Sequence, residues 1–275
     1  MPIGVFDSGL GGLTILRVLR RAMPNQSFLY YGDTANAPYG DKSREEVQRL
    51  TRAAVERMFE QGCDLVILAC NTASALALRD LQDSLPRSQK RRVLGVFVPM
   101  IEALSGARWV RTPQSKGQAP AGRRRILFFA TPATVASGAF QEELHKRLHD
   151  AEAISEPAPE LVSALERGDH AAARASVTAA CARALGRSSE TPDAAVLGCT
   201  HYPLAFDDFR ACLPAETELL SQPDIAAASL ARYLERHPEF EDTQGELRCL
   251  TTGDPVMFGE LATLFYRQPL RFEAA

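Results

Sequence analysis

The chain has 275 residues, 45% of them hydrophobic, enough to bury the core of one large or two modest domains. Its 31 basic and 34 acidic side chains leave a formal net charge of -3, so no overall positive field recruits nucleic acid or an anionic membrane surface. Glycine and proline stand near ordinary usage, which excludes collagen-like and low-complexity classes, and no apolar run approaches the roughly 20 residues of a membrane span.

Residues 2–6 read as a short strand, and Asp7 breaks the apolar run too early for a signal peptide, so the expected location is the cytoplasm. The glycine turn Asp7-Ser-Gly-Leu-Gly-Gly12 leads into residues 13–21, whose apolar positions 13, 15, 16, 18 and 19 fit a buried helical face. A second strand is expected at 26–31. Ser43, with Glu46 three positions on, forms a capping box that opens a helix. The apolar strand 65–69 runs into Cys70-Asn-Thr-Ala-Ser-Ala75, small and helix-compatible. The same order returns at 93–98 and at 126–130, each strand followed by a helix. Strands alternating with helices predict parallel sheets covered on both faces, with ligands at the carboxyl edges.

Residues 106–125 mix arginines with glycine and proline and read as an exposed connection near a domain crossing. Beyond it come a helix at 171–185, a strand at 194–198, the polar turn Cys199-Thr-His-Tyr-Pro203, a helix at 225–235, a strand at 247–251, and a last helix opened by Asp254 or Pro255. A coarse repeat runs through this order. Ala-Cys70-Asn-Thr follows one apolar strand and Gly-Cys199-Thr-His follows another, with the thiols 129 residues apart. The repeat predicts two pseudo-symmetric α/β domains with mainly parallel sheets and an active site at their interface. The first domain is placed at 1–97 completed by 207–275, and the second at 98–206.

Six cysteines, at 63, 70, 181, 199, 212 and 249, include no CxxC pair and are expected as free thiols. Cys63, Cys181, Cys212 and Cys249 have apolar or helix-like neighbours and read as packing. Cys70 and Cys199 instead end strands and run into hydroxyl, amide and imidazole groups. A thiol whose ordinary pKa is about 8.5 makes a tunable proton carrier, and two of them can work from opposite faces of one carbon. Asp7 and His201 are the candidates to orient them. The glycine turn lacks the GxGxxG spacing and no Lys-Ser or Lys-Thr follows it, so a nucleotide is not expected. No Cys/His cluster suggests a metal, and none of Lys42, Lys90, Lys116 and Lys146 has a phosphate signature suited to pyridoxal phosphate. No cofactor is expected.

Ile3-Gly-Val-Phe-Asp-Ser-Gly-Leu-Gly-Gly-Leu-Thr14, Tyr31-Gly-Asp-Thr34 with Pro38-Tyr-Gly40, Ala69-Cys-Asn-Thr-Ala-Ser74, Leu197-Gly-Cys-Thr-His-Tyr-Pro203 and Thr251-Thr-Gly-Asp254 resemble, in order, the signatures of bacterial glutamate racemases. The resemblance implies a cofactor-independent isomerase supplying D-glutamate for peptidoglycan. It carries over Cys70 and Cys199 as opposed acid/base thiols, with Cys199 the base for L-glutamate and Cys70 for D-glutamate. Asp7, His201 and Glu166 become their assistants, and Ser8, Pro38, Tyr39, Gly40, Asn71, Thr72, Thr131, Thr134 and Thr200 line the pocket. Two departures stand out: Ala158-Pro159 replaces a Cys-Pro common in the family, and the 108–125 connection is long. The implied small-molecule partner is glutamate, with monomer and homodimer both open. An aspartate racemase and a noncatalytic small-carboxylate-binding protein are the alternatives.

Overall fold

The computed structural model describes residues 1–86, 90–105 and 124–275. The long connection noted above lies almost wholly outside the described residues. Among the described residues ten strands form two sheets: β1 (Ile3–Asp7), β2 (Phe28–Gly32), β3 (Leu65–Leu68), β4 (Arg92–Gly95), β5 (Arg125–Ala130), β6 (Glu152–Pro157), β7 (Ala194–Gly198), β8 (Glu218–Leu220), β9 (Leu247–Thr251) and β10 (Glu273–Ala274). The first sheet has the order β10-β9-β2-β1-β3-β4 and the second β6-β5-β7-β8, and every pairing is parallel. The run β2-β1-β3-β4 repeats as β6-β5-β7-β8, which makes β1 equivalent to β5 and β3 to β7. In each sheet the chain leaves the first of these strands to one side and returns on the other. The crevice at that switch point is where such sheets bind ligands.

β1, β2, β3 and β7 are buried along their whole length. Their near-continuous apolar sequences are what a parallel strand with helices on both faces requires. The helix Leu13–Ala22 buries Leu13, Ile15, Leu16, Val18 and Leu19 and packs against the helix Gln222–Arg236. Ser43 caps the helix Arg44–Glu60, its hydroxyl accepting from the Glu46 N–H at 3.2 Å. The helix Phe97–Ser105 joins the halves. Phe97, Met100, Ile101 and Leu104 belong to one continuous core with Ile3 and Val5 of the first sheet and Ile126 and Phe128 of the second. Phe97 meets Phe128 edge-on with ring centroids 6.0 Å apart.

Two expectations need correction. The strand expected at 93–98 stops at Gly95, and Phe97 already begins the bridging helix, because its apolar side chains serve the inter-sheet core at helical spacing. The return to the first domain was placed at 207, but residues 218–220 form β8 and pair with β7 of the second sheet. The crossing therefore lies after Leu220, where the helix Gln222–Arg236 starts. β6 and β8 had no clear sequence signal: β6, Glu-Ala-Ile-Ser-Glu-Pro, lies at a sheet edge and lacks an alternation of apolar with polar residues, and β8 is three residues long.

Candidate active site

Asp7 closes β1; by register against the thiol-bearing strands its counterpart in the second half is Ala130, the last residue of β5, and Thr131 corresponds to Ser8. Cys70 follows β3 and caps the six-residue helix Asn71–Leu76, its sulfur accepting from the Ala73 N–H at 3.5 Å. Cys199 directly follows β7. Both thiols are 5% exposed, so water is largely excluded around them. They are close enough for Cys199 to contribute to the rise in the Cys70 pKa.

The first thiol sits in an acidic neighbourhood. Burial pushes Cys70 up to about 12, the Asp7 carboxylate adds to the rise, and the Ser8 hydroxyl, 3.4 Å from the sulfur, opposes it. Cys70 is therefore a thiol at neutral pH. Burial also raises Asp7, against the charge of His201 and hydrogen bonds from the Gly9 and Gly12 N–H groups and Thr200. Gly9 N–H donates to Asp7 Oδ1 at 2.9 Å, and the Thr200 hydroxyl donates to Oδ2 at 3.3 Å.

The second thiol has a basic partner. His201 Nδ1 lies 3.8 Å from Cys199 Sγ, and Nε2 lies 2.8 Å from Glu166 Oε1. Burial works against a charged imidazole, but Cys199 and Glu166 outweigh it and hold His201 up at about 10. The ring also packs edge-on against Phe265, with centroids 5.3 Å apart.

Contacts between the halves surround these groups. Thr72 Oγ1 lies 3.0 Å from Thr131 Oγ1 and 3.1 Å from Thr134 Oγ1, a hydroxyl triad joining the halves. Thr14 donates to the Thr200 carbonyl at 3.0 Å. Gly11 is required here: a Cβ would fall 2.1 Å from Thr200 Oγ1 and 2.4 Å from His201 Nδ1. Gly40 likewise abuts Thr131, whose Cβ would be 3.0 Å from an added Cβ.

The sequence-selected residues thus converge, with two refinements. The Tyr39 hydroxyl donates to Asp33 Oδ2 at 2.6 Å, so it is committed to the loop rather than to the thiols. The Asn71 carboxamide exchanges hydrogen bonds with Gln222, Asn71 Nδ2 donating to Oε1 at 2.7 Å. Asp33 and Gln222 were missed. Asp33 was legible as part of the Tyr31–Thr34 motif, whereas nothing around Gln222 sets it apart from an ordinary helix start. Cys63, Cys181 and Cys249 are buried as expected for packing, and Cys212 is half-buried. Ala158, at the departure from the family pattern, is buried, and its carbonyl accepts from the Tyr202 hydroxyl at 3.1 Å. A cavity of about 1220 Å³ elsewhere, lined by Ser74, Gly95 and Tyr233 among others, includes neither thiol. The two strand-end thiols and the side chains bonded to them lie at the crevice, so the candidate site is placed there. Among the described residues no group of three or more His, Cys, Asp or Glu is placed to hold a metal ion, and no helix is long and apolar enough to cross a membrane.

The sequence profile of the Asp/Glu/hydantoin racemases matches residues 14–230. The chain belongs to this family. It is 48% identical to the glutamate racemases of Cereibacter sphaeroides and Paracoccus denitrificans, in each case over 100% of both chains. Among solved structures it resembles a glutamate racemase isoform of Bacillus anthracis with a TM-score of 0.85 and 28% identity, covering 100% of this chain and 97% of that one. The Francisella tularensis glutamate racemase in complex with D-glutamate gives 0.84 and 28%, over 100% of this chain and 97% of that one. The Thermus thermophilus glutamate racemase in complex with β-chloro-D-alanine gives 0.81 and 33%, over 100% and 96%. As a racemase the protein is an isomerase, built on the family's two pseudo-symmetric parallel α/β domains.

Proposed function

We propose that the chain interconverts L- and D-glutamate by two-base proton transfer, without a cofactor, and so supplies D-glutamate for peptidoglycan. The observation that carries this reading is the pair of buried thiols at equivalent strand ends, with Asp7 and Ser8 beside Cys70 and a His201–Glu166 pair beside Cys199. Starting from L-glutamate, the Cys199 thiolate takes the Cα proton. The electron pair remains on Cα and spreads into the α-carboxylate, and the Cys70 S–H bond breaks to deliver a proton to the opposite face. Cys70 ends as the thiolate, and the reverse reaction exchanges the roles.

The resting state suits the first direction. Cys70, pushed up to about 12, holds the proton it must give, and His201, held at about 10, is charged at neutral pH beside the sulfur that must accept one. A positive neighbour is what a thiolate base needs. The substrate's own carboxylate takes up the charge of the carbanion, so exclusion of water, aligned thiols and hydrogen bonds to that carboxylate carry the barrier reduction. The Ser8, Thr72, Thr131 and Thr134 hydroxyls supply such hydrogen bonds, with the Pro38–Gly40 loop on the Cys70 side. Chiral separation of products from L- and D-glutamate and L-aspartate in deuterated water tests the proposal. Racemisation of glutamate with one solvent deuteron incorporated per inversion is expected. Aspartate turnover equal to or above that of glutamate would overturn the substrate, and glutamate binding without exchange or inversion would overturn the enzyme reading.

A further inference from the structure

Two motifs behind the family resemblance, Tyr31-Gly-Asp-Thr34 and Thr251-Thr-Gly-Asp254, hold no proton in the scheme above. They are tied to one another at the carboxyl ends of the adjacent strands β2 and β9. Thr34 Oγ1 lies 2.7 Å from Thr251 Oγ1 and accepts from the Gly253 N–H at 3.0 Å. The Ala35 N–H donates to Thr252 Oγ1 at 3.0 Å, and the Thr252 hydroxyl donates to Asp33 Oδ1 at 2.8 Å.

The buried Asp33 carboxylate is the centre of this cluster. Besides Thr252 it accepts from Asn36 Nδ2, at 2.9 Å through Oδ1 and 3.2 Å through Oδ2, and from the Tyr39 hydroxyl at 2.6 Å. Among the described residues no Lys, Arg or His forms an ion pair with it. A buried carboxylate without a cation is a costly way to stabilise a fold, and hydroxyl and amide donors alone satisfy it. What those donors share is the loop they fix. The Tyr39 ring is buried against Phe6, with centroids 6.1 Å apart, next to Asp7 in the chain. Gly40 backs onto Thr131 of the second half, which is itself bonded to Thr72 beside Cys70. From Asp33 to Thr131 the contacts are continuous, and they set how closely the second half approaches the Cys70 side of the crevice.

We propose that Asp33 is a positioning residue that, through the Tyr39 hydroxyl, fixes the Pro38–Gly40 loop against Thr131 and so sets the fit of the crevice to its amino-acid substrate. It acts on substrate only through that loop. The proposal rests on racemisation of glutamate at this crevice.

Tyr39→Phe removes one hydrogen bond to the Asp33 carboxylate and little volume. It is expected to raise KM for glutamate about fivefold to tenfold, with kcat changed by less than about twofold, because the loop holds no transferred proton. The preference for glutamate over aspartate should narrow, since a loosened wall discriminates chain length less well. Asp33→Asn, which keeps an acceptor, should be milder than Asp33→Ala, and adding Tyr39→Phe to Asp33→Ala should cost nothing further. Thr252→Val reaches Asp33 from the other motif and replaces Asp33→Ala in that cycle should the latter fail to fold. Calorimetric titration with D-glutamate reads the loop independently of turnover. Weaker binding in Tyr39→Phe with non-additive effects supports positioning; an unchanged Kd and selectivity, or effects that simply multiply, overturn it. Absence of racemisation by the wild type would count against the proposed function and leave the binding readout to decide the role of Asp33.

Discussion

The ends of β1 and β3 in the first sheet and of β5 and β7 in the second occupy the same topological places but carry different chemistry. In the first, an acid, Asp7, and a thiol, Cys70, stand side by side, and both are raised chiefly by burial. In the second, the position of Asp7 is taken by the apolar Ala130, and Cys199 is accompanied by His201 and Glu166. Topology alone thus delivers two thiols to one crevice, and the neighbours make them unequal. Burial and Asp7 favour the protonated thiol on one side, and a charged imidazole stands beside the sulfur on the other.

The sharpest way to break that comparison is to remove one thiol at a time. Cys70→Ser and Cys199→Ser should each lower inversion by on the order of 10²- to 10⁴-fold in both directions, because an intermediate lacking its opposite donor cannot complete inversion. The half-reactions should differ. Cys70→Ser should retain exchange of the Cα proton of L-glutamate, and Cys199→Ser that of D-glutamate, as followed by NMR in deuterated water. Identical exchange patterns would show that the sides are not specialised.

Asp7→Asn and His201→Asn are expected to cost less, roughly tenfold to a hundredfold in kcat/KM. They should move the pH–rate profile differently. Asp7 adds to the rise of Cys70, so its neutralisation should bring the alkaline limb down in pH while burial keeps it above that of an ordinary thiol. An alkaline limb unmoved by Asp7→Asn would remove Asp7 from the neighbourhood that matters.

A stability measurement sharpens the second side. His201 is raised to about 10 in the folded chain from an ordinary 6.5, so folding favours its protonated form. The stabilisation it brings is complete below pH 6.5 and is lost as pH rises through about 10. Denaturant unfolding of the wild type and His201→Asn should therefore show a gap that narrows across this window, and a constant gap would contradict the raised imidazole. The smallest effect concerns the join. Thr72→Val leaves Thr131 and Thr134 bonded to each other and should cost about 1 kcal/mol, measurable as a shift in the urea midpoint.

Much of this was legible because the physics is local. Apolar runs named β1, β3, β5, β7 and β9, Ser43 and Asp254 announced their caps, and Cys70 and Cys199 stood out by ending such runs in polar turns. The 93–98 segment was misread because Val96, Phe97 and Val98 are equally at home in a strand or a buried helix, and only the bridging core between the sheets selects the helix. β8 was missed because three residues paired at an edge carry no pattern, and the domain crossing was misplaced with it. Glu166 fits any solvated helix until it is seen 2.8 Å from His201.

The sequence by itself determined the parallel α/β class, the two strand-end thiols and the motif order that marks the family, since hydrophobic period, capping and turn chemistry act between residues a few positions apart. The tertiary structure alone decided which thiol lies beside an acid and which beside a charged imidazole, that Gly11 and Gly40 are sites of close approach between the halves, and that Asp33 and Thr252, 219 residues apart, share a hydrogen bond. Those outcomes depend on burial and on distances across the crevice, which come into being only when the two sheets are packed against each other.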